Sequence, residues 1–176
     1  MIFIETAING VWEIQPELIQ DDRGFFARTF CEEEFRMKGL ECHFVQCSIS
    51  FNTKKGTVRG LHWQSEPFAE TKLVRCTKGR MFDVAVDVRA GSTTRNKWLG
   101  VELSSENRKM LYIPPGFAHG FQTLEDDTEV SYQISQFYHP ESARGIRWDD
   151  PTVNILWPIA DVVLSVRDSS LPYLKA

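Results

Sequence analysis

The sequence lacks the features that mark membrane and secreted proteins. No apolar run approaches the ~20 residues that a membrane-spanning helix requires. Met1 to Ile4 carry no basic segment, and Glu5 and Glu13 interrupt the apolar sequence, so no secretory signal is predicted. We therefore expect a cytoplasmic protein with no membrane partner.

Cysteine is scarce, and its spacing is unlike that of common redox or metal sites. The sequence contains no C-x-x-C pair and no zinc-ribbon spacing. Without a predicted secretory signal, we expect these thiols to be reduced and to serve as small packing residues. The four cysteines are Cys31, Cys42, Cys47 and Cys76.

The chain also lacks excess positive charge, repeats, low-complexity tracts and internal linkers. Its formal net charge is -4, which argues against a general surface for nucleic acid or anionic membranes. A local basic pocket for a phosphorylated small molecule is still compatible with a negative net charge. A length of 176 residues, 42% of them hydrophobic, predicts one domain spanning residues 1–176.

Helical periodicity is nearly absent. The one helix expected in the first half runs from Glu32 to Lys38 and ends at Gly39. Short β-type runs separated by turn residues indicate an all-β fold, an antiparallel sandwich or barrel of jelly-roll type with a few short helices. The mouth of such a barrel is where a ligand pocket would form. The candidate strands cover residues 11–19, 25–30, 44–50, 57–63, 71–76, 80–88, 97–103, 109–113, 119–124, 128–137 and 162–165.

Two aspartates alternate with the apolar residues of the 80–88 strand. Asp83 and Asp87 share one face, and Val84 and Val86 share the other. We predict that the aspartates are solvated or salt-bridged groups at the rim of the barrel.

Several polar side chains interrupt the otherwise apolar strands. Because burying an uncompensated charge is costly, a set of them across five strands predicts a wet, charged cavity inside the barrel. Arg59 and Lys72 would suit an anionic group there. The residues are Gln46, Arg59, His62, Lys72, His119 and Tyr132.

The histidine in Arg59-Gly60-Leu61-His62-Trp63-Gln64 is the candidate base. Leu61 and Trp63 flank His62, and a dry environment disfavours the charged imidazolium. A neutral imidazole is what a general base requires at neutral pH. The alternative is a core histidine with a purely structural role.

A metal site receives little support. Metal-binding jelly rolls of the cupin type use H-x-H followed by a glutamate, whereas Trp63 and Gln64 follow His62. His62 and His119 alone make a poor zinc or iron site, and His43 and His139 lie in polar surroundings expected at the surface. A metal-dependent cupin oxygenase or isomerase nevertheless stays open as a different class of enzyme.

At these residues the chain resembles the dTDP-4-dehydrorhamnose 3,5-epimerases, from about residue 4 to 172. The resemblance implies a cupin-type jelly roll without metal or cofactor, usually a homodimer, that epimerises a nucleotide-linked 4-keto-6-deoxyhexose in deoxysugar biosynthesis. The motifs are Asp22-Arg23-Gly24-Phe25-Phe26, Arg59-Gly60-Leu61-His62, Lys72-Leu73-Val74-Arg75, residues 83–89, Pro115-Gly116-Phe117-Ala118-His119-Gly120-Phe121, Trp148-Asp149-Asp150-Pro151 and Trp157-Pro158.

The same resemblance implies roles for individual residues. His62 matches the base, Asp168 the carboxylate that supports it, and Tyr132 the acid on the opposite face of the sugar. The other matching positions contact substrate: Lys72 and His119 near the sugar, Arg23, Arg59 and Arg167 as cations, Tyr138 stacked on the nucleotide base, and Arg28, Gln46 and Ser48 at substrate-contact positions.

The sequence departs from the family pattern mainly at substrate contacts. Arg28 stands where the family usually has glutamate, and Gln46-Cys47-Ser48 replaces Q-D-N. Gln133 and Ala143 replace a frequent lysine and glutamate, and the loop before Arg59 has an extra residue. The resemblance therefore leaves the identity of the nucleotide open, and a CDP-linked sugar is an alternative substrate. Inversion at only one of C3 and C5 also stays open. A non-catalytic module that binds a sugar nucleotide is a further alternative.

Overall fold

The computed structural model describes residues 1–174, which form an antiparallel β-sandwich. One sheet has six strands in the order β1-β2-β10-β7-β12-β5, and the other has five in the order β13-β6-β11-β8-β9. A separate hairpin pairs β3 with β4. The strands are β1 (Ile2–Glu5), β2 (Trp12–Gln15), β3 (Leu18–Asp21), β4 (Gly24–Ala27), β5 (Gln46–Asn52), β6 (Val58–Gln64), β7 (Lys72–Lys78), β8 (Arg80–Asp87), β9 (Trp98–Ser104), β10 (Met110–Ile113), β11 (Phe117–Thr123), β12 (Thr128–Ile134) and β13 (Ala143–Gly145).

Apolar side chains from the two sheets meet between the layers. Val74 and Val130 of the six-stranded sheet share one buried cluster with Met81, Ala85 and Phe121 of the five-stranded sheet. Burying this much apolar surface between two pleated layers is the main force holding such a sandwich together. The predicted all-β jelly roll is thereby confirmed.

The helices are short. The helix α1 (Glu32–Met37) is the predicted one, and the backbone beyond it turns at Gly39 with a φ of 70°. The helix α2 (Val166–Ser169) has only one turn. Within the described residues, no helix is long and apolar enough to cross a membrane.

One predicted strand in the chain's later half was wrong, and one strand there was not predicted. Residues 162–165 do not form a strand, because only Val163 makes an isolated bridge, to Thr57. The short strand β13, which the sequence analysis missed, lies instead beside β6. Three residues are too few to show the alternation on which that analysis relied.

The prediction that Asp83 and Asp87 could be solvated at a rim was also wrong. Both residues are 0% exposed. Alternation separates the two faces of β8, but here both faces are covered. The second sheet covers one, and residues such as Val153 and Trp157 pack on the other. The salt-bridged alternative is confirmed for Asp87, which pairs with Arg89 at 2.7 Å.

Candidate active site

A cavity of about 310 Å³ contains most of the predicted functional side chains. It opens between β5 and β6, which lie toward the same side of the two sheets. Its walls therefore come from opposite layers. The lining residues are Ser48, Ser50, Arg59, His62, Lys72, His119, Phe121, Tyr132, Ile134 and Asp168.

A larger cavity of about 410 Å³ lies beside the β3–β4 hairpin. Phe25, Arg75 and Arg108 are among its lining residues, but no histidine, carboxylate or tyrosine is. Burial raises the pKa of the Cys76 thiol on its wall to about 11, so that thiol is not a general base near neutral pH, and size alone does not identify the reactive site.

His62 and Asp168 form a hydrogen-bonded pair at one wall. Strand β6 carries His62, and Ser165 caps α2 by accepting the Asp168 backbone N–H at 3.0 Å. The distance from His62 Nε2 to Asp168 Oδ1 is 2.7 Å, and the side chains are 35% and 7% exposed. Helix α2 thus brings a carboxylate from 106 residues along the chain to the histidine.

The charge on Asp168 fixes the tautomer of this pair. Burial opposes the charge, but hydrogen bonds from His62, Ser165 and the backbone of Gly60 outweigh burial and lower the pKa of the carboxyl below its usual value. An ionised carboxylate only accepts hydrogen bonds, so His62 Nε2 carries the hydrogen. The Nδ1 atom is then left as the acceptor that a general base needs.

Tyr132 and His119 occupy the same cavity, with Tyr132 on the other sheet. His119 lies directly opposite His62 in the β11–β6 register, and its ring meets that of Tyr132 edge-on with centroids 6.1 Å apart. Burial, and then the negative charge of Asp83, raise the pKa of Tyr132 far above its usual range. The phenol therefore carries its proton at neutral pH and is a weak acid, which can protonate only a strongly basic group.

His119 has its own buried carboxylate. The Nε2 atom of His119 lies 2.7 Å from Asp83 Oδ1, with side chains 5% and 0% exposed. The second oxygen of Asp83 has no hydrogen-bond partner within residues 1–174. The sequence analysis missed this pairing, although the alternation that placed Asp83 on one face of its strand was the available signal.

Lys72 is held by a glutamate that the sequence analysis did not select. Its Nζ lies 2.8 Å from Glu70 Oε1, and the two side chains are 12% and 11% exposed. Nζ also donates to the backbone oxygen of His62 at 3.4 Å. The two-residue spacing of Glu70 and Lys72, which puts side chains on one side of an extended chain, could have revealed the pair.

Arg59 is oriented by a neutral side chain. Its Nε donates to Asn52 Oδ1 at 2.6 Å, and one terminal nitrogen donates to the Phe51 carbonyl at 3.5 Å. Asn52 is 2% exposed and was not selected from the sequence. Two hydrogen bonds therefore orient the guanidinium at the cavity, and among residues 1–174 it forms no salt bridge with a carboxylate.

The remaining predicted contacts lie outside the cavity of their own chain. Gln46 begins β5, Tyr138 is 58% exposed in the loop after β12, and Arg167 is exposed beside Asp168. Arg23 binds Asp21 at the tip of the hairpin, and Arg28 pairs with Glu34 at 3.4 Å.

Metal ligands do not gather in this part of the molecule. Within residues 1–174, no three histidine, cysteine, aspartate or glutamate side chains are close enough together to hold an ion. The cavity's histidines each contact a carboxylate instead, which is an arrangement suited to proton transfer.

The fold and the cavity define a jelly-roll protein with acid–base groups on opposite walls. The sequence profile of the dTDP-4-dehydrorhamnose 3,5-epimerases matches residues 5–176. The chain belongs to this family of isomerases, and its fold is the family's cupin-like jelly roll.

Individual relatives resemble the chain along nearly its full length. The dTDP-4-dehydrorhamnose 3,5-epimerase of Sinorhizobium fredii is 50% identical over 99% of this chain and 90% of its own. The dTDP-6-deoxy-D-glucose-3,5-epimerase of Legionella pneumophila, in complex with dTDP-4-keto-L-rhamnose, is 39% identical with a TM-score of 0.90, covering 99% of both chains. ChmJ, a 3'-monoepimerase from Streptomyces bikiniensis in complex with dTDP-quinovose, is 31% identical with a TM-score of 0.90, covering 97% of this chain and 86% of its own.

Proposed function

We propose that the protein epimerises C3 and C5 of a dTDP-linked 4-keto-6-deoxyhexose in deoxysugar biosynthesis. One observation carries the proposal: the His62–Asp168 pair and Tyr132 lie on opposite walls of one sugar-sized cavity. Inversion of a carbon centre requires a base on one face and an acid on the other. The names of the relatives support the same chemistry.

The proposed reaction begins with removal of a proton beside the C4 ketone. His62 Nδ1 takes the proton from carbon, Asp168 stabilises the imidazolium, and the electron pair moves to the ketone oxygen to give an enolate. Lys72 stabilises that oxygen because its attraction grows as the charge develops, and His119 lines the cavity beside the sugar. Tyr132 then delivers its proton to carbon from the other face, and exchange with solvent restores both groups.

The nucleotide extends beyond this cavity. A volume of about 310 Å³ lies at the lower end of the range for small-molecule pockets, so it suits the hexose better than the whole nucleotide sugar. Arg59 at the wall and the exposed Arg167 supply guanidinium groups for the diphosphate. The exposed ring of Tyr138 supplies a stacking surface for the base.

We further propose a homodimer of single-domain, cytoplasmic chains that binds neither nucleic acid nor membrane. The β3–β4 hairpin exposes Ile19 at 70% and Phe26 at 68%, and β5 exposes Ile49 at 69%. Ile19 and Phe26 are neighbours across the hairpin, and exposed apolar groups of this kind favour a protein partner. Arg23 and Arg28 lie at this hairpin, outside the cavity of their own chain. In a dimer they could contact the substrate that is bound in the cavity of the other copy.

Sedimentation tests the dimer. Replacing Phe26 by aspartate should give monomers, whereas Val166→Asp, at a valine on α2 that is 87% exposed, should not. A monomeric unaltered protein would contradict the homodimer.

Isotope exchange in deuterated water tests the reaction. The protein should place deuterium at C3 and C5 of dTDP-4-keto-6-deoxyglucose, detected by NMR, and His62→Ala should abolish both signals. Exchange at one centre only would favour the monoepimerase chemistry that ChmJ represents. An equal exchange rate in His62→Ala would overturn the assignment of the base.

A different nucleotide, a metal-dependent enzyme and a binding module each predict a different outcome. A panel of dTDP, CDP, UDP and GDP should show which nucleotide raises the thermal midpoint, since a ligand bound only to the native state stabilises it. A preference for CDP would show that the substrate carries a CDP group and not dTDP. Stoichiometric iron or manganese, with activity lost to chelator, would favour a metal-dependent enzyme, and tight dTDP binding without exchange would favour a binding module.

A further inference from the structure

A buried glutamine ties together the two loops at the end of the cavity. Gln64 is 3% exposed, and its Nε2 donates to the carbonyls of Phe68 at 3.0 Å and Phe137 at 3.1 Å. Its Oε1 accepts the backbone N–H of His139 at 2.5 Å. One side chain thus satisfies three backbone groups on loops that follow different sheets.

The loops concerned lie beside the proposed reactive groups. The loop of residues 65–71 joins β6, which carries His62, to β7, which begins at Lys72. The loop of residues 135–142 follows Ile134, which lines the cavity, and contains Tyr138 between two residues that Gln64 holds.

The contact between the loops continues beyond the glutamine. The rings of Phe68 and His139 stack with centroids 3.5 Å apart and an interplanar angle of 9°. The loops also exchange a hydrogen bond from Ser65 N to Ser142 O at 2.9 Å. Without the amide of Gln64, however, the carbonyls of Phe68 and Phe137 would lose a hydrogen-bond donor that a buried side chain supplies, which would loosen the contact between the loops.

We propose that Gln64 is a positioning residue that holds the ring of Tyr138 in place for the nucleotide base. This inference rests on the proposed function for the role of Tyr138, but the hydrogen bonds of Gln64 do not depend on it. Gln64 contacts neither the proposed base nor the proposed acid in the described structure. Its loss should therefore weaken nucleotide binding more than it slows proton transfer.

The substitution Gln64→Met tests this division. It keeps the length of the side chain and removes all three hydrogen bonds. We expect the Kd for dTDP and the KM for the nucleotide sugar to rise roughly tenfold, the scale of one lost base–aromatic stack. The kcat for isotope exchange should stay within about threefold, because a group that binds ground and transition states equally changes KM and not kcat.

Gln122→Met is the matched control. Gln122 is 0% exposed and likewise ties a loop, donating to Ile159 O at 2.8 Å and accepting from Ile159 N at 2.9 Å. It lies outside the cavity lining, so it should lower stability without raising the Kd for dTDP. Equal increases in Kd for the two variants would overturn the proposal by showing a general loss of stability.

A double variant asks whether Gln64 acts through the tyrosine. Adding Gln64→Met to Tyr138→Ala should raise Kd little further, because the ring to be positioned is gone. Multiplicative effects would overturn the proposal.

Amide hydrogen exchange separates this inference from the proposed function. In Gln64→Met, exchange should accelerate in residues 135–142 and not around Ile159, and in Gln122→Met the reverse should hold. If the unaltered protein binds no dTDP, the proposed function fails, while unchanged protection of residues 135–142 in Gln64→Met would overturn the positioning role by itself.

Discussion

The His62–Asp168 pair makes a quantitative prediction about Asp168→Asn. Asparagine has nearly the same shape as aspartate but carries no charge. The variant keeps the short helix α2 and its Ser165 cap, so the position of residue 168 should be preserved. What changes is the hydrogen bond to His62 Nε2, now 2.7 Å long and charge-assisted.

The expected loss has two parts. A hydrogen bond to a charged group contributes about 1.5–3 kcal/mol, which corresponds to a roughly 10–150-fold change in rate. Since the side chain of His62 is 35% exposed, water compensates in part and the lower half of that range applies. The asparagine amide can also donate to Nε2 and shift the ring hydrogen to Nδ1, which would remove the acceptor. The corresponding change in a Ser-His-Asp triad lowers kcat by about 10⁴-fold.

We therefore expect Asp168→Asn to lower kcat for deuterium exchange by about 10²-fold or more, with little change in KM. Mass spectrometry of the nucleotide sugar after timed exposure to deuterated water would measure both constants. Ser165→Ala serves as a control, because it removes the cap of α2 but leaves the carboxylate. It should lower kcat by less than about tenfold. Exchange by Asp168→Asn within twofold of the unaltered protein would refute the role of the pair.

Three further predictions concern the rest of the structure. Tyr132→Phe should still exchange protons through His62 but form little inverted product, because the phenol that stays protonated at neutral pH is gone; NMR of the product at C5 would show it, and normal inversion would contradict it. Lys72→Met should lower kcat by about 10²-fold, the scale of one lost enolate contact, whereas an effect on KM alone would make Lys72 a simple binding residue. Asp87→Asn should destabilise the fold by roughly 2–3 kcal/mol at pH 7, measured by urea unfolding, with unchanged kcat. Burial opposes the charge of Asp87, but its hydrogen bonds lower its pKa; this stabilisation is therefore present above the unfolded pKa and lost as pH falls through the folded one. The variant's deficit should shrink on acidification, and a constant deficit would contradict the reasoning.

Local patterns in the sequence were sufficient to predict the fold class and to select two of the candidate site residues. Alternation with turn residues gave most of the strands, and His62 and Lys72 were conspicuous as polar groups within apolar runs. Such signals are local, because strand periodicity and burial act over a few residues. The assignment of Asp168 instead required the resemblance to a family, since nothing near residue 168 indicates a contact 106 residues away.

Local patterns did not identify two of the partners, those of His119 and Arg59. Asp83 meets His119 only because β8 and β11 are neighbours in the five-stranded sheet, and Asn52 meets Arg59 only because β5 and β6 face each other. Hydrogen bonds across strands depend on sheet order and register, which short-range patterns do not specify.

These partners explain how an acidic protein can accept an anionic ligand. The overall charge is -4, yet the carboxylates at the cavity are at most 11% exposed and each lies within 2.8 Å of a cationic or imidazole nitrogen. Each carboxylate engages one of those groups and is itself largely buried, so bare carboxylate oxygens are withdrawn from an incoming ligand. The pairs are His62–Asp168, Lys72–Glu70 and His119–Asp83.

Arg59 differs from those three groups, and the difference gives it a distinct role. Because the neutral Asn52 orients it, its full positive charge remains for the ligand, whereas the charge of Lys72 is largely balanced by Glu70. A diphosphate carries its charge in the ground state and in the transition state alike, so an uncompensated cation there strengthens binding uniformly. An enolate oxygen gains charge only during the reaction, so a balanced pair such as Lys72–Glu70 can respond to it without first holding the substrate too tightly. In the proposed reaction, the two kinds of orientation, by an amide and by a carboxylate, would therefore separate binding from catalysis within one cavity.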